Sequence, residues 1–177
     1  MFAPVWSSSK RRAIFLGVNL LTALIAAFCI KLFDATIEQV VALAVLMPVV
    51  ASMGGIAGTQ TLTLMIRGMS LGQISNRNTR PLLGRELAIG GINGIVWAIV
   101  MGAIAFLVWQ DHRIGWVAAA AIVTNMMAGA LAGVLVPVIL KRLRIDPALA
   151  GGMLLTTITD VVGFVTLLGL GTLILVA

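Results

Sequence analysis

The stretch TTITDVVGFVTLLGLGTLIL, residues 156–175, decides how this chain is read. An α-helix needs about 20 predominantly apolar residues to cross a hydrocarbon core of about 30 Å. This stretch supplies them, and every residue in it suits that environment except Asp160. Working outward, five segments have the length and composition of membrane helices: 13–33, 39–66, 86–109, 116–140 and 151–176. The second and fifth are longer than the minimum, which leaves room for tilt or a bend. Hydrophobic residues make up 60% of the chain and charged residues 10%, where a soluble domain carries about a quarter charged. The alternating ten-residue strands of a membrane β-barrel are missing from the pattern. The expected fold is an all-α membrane protein with five transmembrane helices, residues 13–177 forming one transmembrane domain behind an N-terminal segment, 1–12. The first apolar run is too long for a signal-peptide core, and no small-residue cleavage pattern follows it.

Basic residues set the expected orientation. Lys10, Arg11 and Arg12 precede the first apolar segment, Arg67, Arg77, Arg80 and Arg85 lie between the second and third, and Lys141, Arg142 and Arg144 between the fourth and fifth. Only Lys31 and Arg113 fall on the other side. Loops rich in Lys and Arg stay in the cytoplasm, so the N-terminus is expected inside and the C-terminus outside. The net charge of +6 then reports topology and contact with anionic membrane lipids, not nucleic-acid binding. Cys29 is the single cysteine, so no disulfide forms within the chain, and a small buried hydrophobe is its expected role.

The longest connection, 67–85, carries the Asn, Ser, Gly and Pro of turns, with room for one short surface helix. Pro147 and the pair Gly151–Gly152 suggest a turn before the last helix. Pairs of glycines four apart, Gly54/Gly58, Gly90/Gly94 and Gly129/Gly133, let helix backbones approach closely in lipid. There is no internal repeat, and five helices do not divide into two inverted halves. Symmetry in a transport path would therefore come from a second copy of the chain.

An ionisable residue inside a membrane segment is costly, by about 2.5–3.5 kcal/mol or more, and marks an ion or proton path by default. Asp160 is such a residue. Gly152, Thr156 and Asp160 recur at four-residue spacing and share a helix face. In the second segment, Pro48 breaks the backbone hydrogen-bond ladder, and Gly55, Thr59 and Thr63 again recur every fourth residue. Gly55 lies eleven residues from Ile66, and Asp160 nine from Gly151. At 1.5 Å per residue these are depths of roughly 16 and 14 Å, both near the midplane. The two stripes are expected to form one site. Its ligands would be oxygens, with no His or Cys among them, which argues against zinc and copper. Mg²⁺ suits such a set because it keeps its water and takes one or two carboxylates. One Asp per chain is sparse for a divalent ion, and a homodimer with its pore on the two-fold axis would present two. Glu86, beside Arg85 at the start of the third segment, lines a pore mouth or simply favours a helix N-terminus. Asn93 and Asn125 are expected to cross-link helices.

The stretches VALAVLMPVVASMGGIAGTQTLTLMIRGMSLGQI and LVPVILKRLRIDPALAGGMLLTTITDVVGFVTLLGLGTLILV strongly resemble the transmembrane domain of the MgtE family of magnesium channels, and the resemblance covers nearly all the chain after the first dozen residues. It implies five helices per subunit, a homodimer and an axial Mg²⁺ pore. The family's ion-site aspartate matches Asp160; pore-lining positions match Gly55, Thr59 and Thr63; a carbonyl-offering position matches Thr156; and an acidic residue of the third helix matches Glu86. The family's Gly-Gly-Asn pattern reads Gly54-Gly55-Ile56 here. Its cytoplasmic Mg²⁺-sensing parts, an N-terminal helical domain and a pair of CBS modules, have no counterpart in these residues, which leaves two expectations: a membrane domain regulated by a separate cytoplasmic domain or subunit, or a short variant gated by other means.

The function expected first is a Mg²⁺ channel or facilitator in a cell membrane, that of a bacterial inner membrane, and not an enzyme. No P-loop pattern is present to couple transport to ATP. A carrier coupled to H⁺ or Na⁺ is the alternative within transport. An intramembrane aspartyl enzyme needs two carboxylates sharing a proton, and a non-conducting assembly module would use Asp160 only to pair helices.

Overall fold

The computed structural model describes residues 5–74 and 79–176. Residues 1–4 of the N-terminal segment, Arg77 of the long connection and Ala177 lie outside the described residues. Among those described, every regular element is helical: α1 (Val5–Lys31), α2 (Asp34–Gln39), α3 (Val41–Ser70), α4 (Thr79–Trp109), α5 (His112–Arg142) and α6 (Pro147–Gly171), followed by a π-helical turn, Thr172–Val176. Five of them are long and apolar enough to cross a membrane, so the chain is a multi-pass membrane protein. The helix in α1 starts at Val5, within the expected N-terminal segment.

The helix ends follow local chemistry. At the C-termini of α3 and α5 the chain takes a left-handed residue, Gly72 (φ 69°) and Arg144 (φ 59°). The next amide reaches back to the helix, Gln73 to the Gly68 carbonyl and Ile145 to the Leu140 carbonyl, each at 2.9 Å; this satisfies carbonyls the helix leaves open. The Asp111 carboxylate caps α5, accepting from the Arg113 amide at 2.8 Å. The expected turn at Pro147 and Gly151–Gly152 is corrected by the structure: these residues lie inside α6. Asp146 caps the helix through the Ala148 amide at 2.9 Å, and proline at the first helical position fits without losing a bond. The connection at 34–38 likewise forms α2, whose Thr36 hydroxyl pairs with that of Thr172 at 2.7 Å. In the long connection, the expected surface helix is instead the first turn of α4.

α5 sits centrally, packed against α3, α4 and α6. Leu43, Leu46 and Val50 of α3 meet Val117, Ala121 and Ile122 of α5 and Leu167 and Leu168 of α6 in the main core. Glycine lets these backbones touch. A Cβ on Gly129 would collide with the Gly54 carbonyl, and one on Gly133 would lie 2.7 Å from the Gly58 carbonyl. The glycine pairs of α3 and α5 thus face each other, giving the close packing their spacing predicts. Gly90 and Gly94 place α4 on α5 in the same way, against Ala130 and Val123. α1 packs chiefly on α6, and α4 barely meets α3.

Candidate functional site

Successive residues on a helix point about 100° apart, so Gly54 and Gly55 serve different surfaces. Gly54 is buried against Asn125 of α5, whose Nδ2 donates to the Val50 carbonyl at 2.7 Å. Gly55 faces away from that contact and opens onto α6, with the Thr159 hydroxyl 3.7 Å from where its Cβ would be. Running with Gly55 along this face are Ser52, Thr59 and Thr63, and opposite them stand Thr156 and Asp160 of α6. Together they line an open groove of about 870 Å³.

Five residues expected from the sequence therefore meet in one place: Gly55, Thr59, Thr63, Thr156 and Asp160. Two of the hydroxyls are committed to their own helix. Thr59 donates to the Gly55 carbonyl at 2.7 Å, and Thr156 shares its proton between the Gly152 and Met153 carbonyls at 3.1 and 3.0 Å. Their oxygens keep lone pairs for a ligand in the groove. Asp160 is half-buried near the middle of α6 and forms no hydrogen bond or ion pair among the described residues. A carboxylate placed so brings negative charge to the groove, where an approaching cation feels it. The ligand set is all oxygen, which suits a hard cation that retains water.

Glu86 lies elsewhere. It is 8% exposed on α4, and its Oε2 accepts from the Thr61 hydroxyl at 2.9 Å. Thr61 is on the flank of α3 turned away from Asp160. The sequence reading passed over Thr61, and also Ala51 and Ser52, which extend the groove wall. Ser52 was within reach of the same argument, since Ser52, Gly55, Thr59 and Thr63 continue one stripe at spacings of three and four. Ile56 is 57% exposed and lines the groove.

A bundle of membrane-length helices carrying a lone mid-helix carboxylate in a polar groove defines a helical membrane protein of the ion-handling class. The family model described as MgtE, divalent cation transporter, matches residues 47–170, and the chain belongs to that family. Three relatives are each a magnesium transporter MgtE. That of Bacillus subtilis (strain 168) is 34% identical over 93% of this chain and 37% of its own length. That of Thermus thermophilus is 29% identical over 94% of this chain and 37% of its own length. That of Enterococcus faecalis is 29% identical over 89% and 34%. The chain thus spans a little over a third of the length of these relatives.

Proposed function

We propose that this chain moves Mg²⁺ across a cell membrane, passively and toward the cytoplasm, through a pore that two copies build around the groove between α3 and α6. The observation that carries this reading is Asp160, a carboxylate without a partner among the described residues, on the wall shared by Gly55, Thr59, Thr63 and Thr156. In the pore, Asp160 attracts the hydrated ion and the hydroxyl and carbonyl oxygens of both helices bond its water shell. Mg²⁺ sheds water reluctantly, so a wall that binds the hydrated ion avoids the dehydration cost. Two copies facing across a two-fold axis supply two carboxylates, matching the ion's charge. An inside-negative potential of 100 mV then drives a divalent ion with about 2 × 2.3 kcal/mol, without ATP. The family membership and the magnesium transporters among the relatives support the choice of ion.

The test is Mg²⁺ uptake into proteoliposomes with an imposed potential and no H⁺ or Na⁺ gradient. A passive pore follows the voltage under these conditions. Uptake that appears only when an H⁺ or Na⁺ gradient is added would establish a coupled carrier instead.

A further inference from the structure

α4 rests on α5 and stands off from α3. The gap is a second cavity of about 500 Å³, with Met126 and Ala130 of α5 on its wall. Glu86, Gly90, Asn93 and Trp97 of α4 line one side at spacings of four, three and four residues, a single helix stripe. Gln60 and Thr61 of α3 line the other. Gly90 permits the close seat of α4, since a Cβ there would lie 2.9 Å from that of Ala130.

The polar groups in this cavity exceed what packing two apolar helices requires. Glu86 is buried, yet its one bond among the described residues comes from a neutral hydroxyl, that of Thr61. Arg85 is its neighbour in sequence and lines the same cavity, but no ion pair joins the two among the described residues. An ionised carboxylate removed from water needs a counter-charge, and the opposite wall offers only amide and hydroxyl groups. Gln60 and Asn93 bring acceptor oxygens toward the space Glu86 borders.

We propose that this cavity is a second cation site, which holds a hydrated divalent ion between Glu86 and the amides of Gln60 and Asn93. A hexahydrated ion occupies roughly 180 Å³ at about 30 Å³ per water, well within the space. Glu86 supplies the charge, and the amide oxygens accept from the ion's water shell. His and Cys are not among the cavity-lining residues, so the donor set selects hard ions such as Mg²⁺ or Mn²⁺ over zinc or copper. The site differs from the Asp160 groove in being complete within one chain. Ile56, Gln60 and Leu64 line both cavities, so a single ridge of α3 separates them and the Gln60 amide borders both.

The experiment counts bound Mn²⁺ by electron paramagnetic resonance, with the whole chain in phosphatidylcholine nanodiscs that add no anionic lipid. Flux is not read, so the result is independent of whether the Asp160 groove conducts. In an Asp160→Asn background, one Mn²⁺ per chain is expected, displaced by excess Mg²⁺. Adding Glu86→Gln, which keeps shape and an acceptor for Thr61, should remove that ion, while Glu86→Asp should retain it with weaker affinity. Asn93→Leu, far from the Glu86–Thr61 bond along the helix, should weaken binding about tenfold, or 1.4 kcal/mol. If Asp160→Asn alone already abolishes binding, or if Glu86→Gln and Asn93→Leu leave the Mn²⁺ count and affinity unchanged, the second site is overturned.

Discussion

The two flanks of α3 solve the problem of polar groups in a membrane differently. On the flank toward α6, Asp160 has no partner among the described residues and stands in an open groove where the Thr59 and Thr156 hydroxyls are bonded to their own backbones. On the flank toward α4, Glu86 is buried and held across the helix gap by Thr61. The first arrangement leaves a carboxylate facing an open groove. The second encloses its carboxylate within one chain. Exposure and partnering, more than residue type, separate the open groove on one flank from the cavity between helices on the other.

The largest expected effect breaks the comparison at Asp160. Asp160→Asn keeps size and hydrogen bonding but removes charge, and Mg²⁺ uptake should fall by on the order of a hundredfold, in line with the 1.5–3 kcal/mol typical of bonds to charged groups. Fold and assembly should be unaffected, since the side chain holds nothing in place.

The glycine pair sharpens the contrast between faces. Gly129→Ala drives a methyl into the Gly54 carbonyl, and such overpacking costs about 1–3 kcal/mol. It should lower the thermal midpoint in detergent. Gly55→Ala meets only the Thr159 hydroxyl, at an ordinary 3.7 Å. That variant should melt like the wild type and alter conduction instead. Equal melting of the two variants would contradict the assignment of Gly54 and Gly55 to separate surfaces.

On the other flank, Thr61→Val removes the one hydroxyl bonded to Glu86 among the described residues. Leaving a buried acceptor unpaired costs about 1–3 kcal/mol, and Thr61→Val combined with Glu86→Gln should lose less than the sum of the single changes. A double-mutant cycle on thermal stability measures this coupling.

The smallest effect belongs to the loop between α4 and α5. The Arg113 backbone amide, and then its side chain, hold the exposed Asp111 carboxyl below its ordinary 3.8. A depressed value means the contribution is present above pH 3.8 and is lost as pH falls through the lower folded value. Asp111→Ala should therefore cost a little stability at neutral pH, a difference that closes in acid titrations of the melting temperature.

Much of this was legible in the sequence because bilayer thickness and helical periodicity are strong constraints. Length and apolarity locate five spans, and four-residue spacing with a depth count brings Asp160 level with Gly55 and Thr59. The glycine pairs foretell close helix packing, though not which helices meet. Failures came where a residue has two physical uses. Pro147 and the glycines after it read as a turn, but proline is equally at home in the first turn of a helix, and Asp146 before it supplies the cap. The bond from Thr61 to Glu86 was out of the sequence's reach, because periodicity along one helix does not say which neighbour that helix meets. That α4 sits on α5 and leaves a gap toward α3 is a property of three-dimensional packing. Thr61, two residues from both Thr59 and Thr63, belongs to the opposite flank for the same reason.

The most direct test is Mg²⁺ flux into proteoliposomes at a fixed inside-negative potential, comparing wild type, Asp160→Asn and Asp160→Glu. Voltage-driven uptake is expected from the wild type, its loss in Asp160→Asn with the protein still folded and assembled, and partial recovery in Asp160→Glu, where the charge returns on a longer arm. Equal uptake by all three proteins would show that the Asp160 groove is not the ion path.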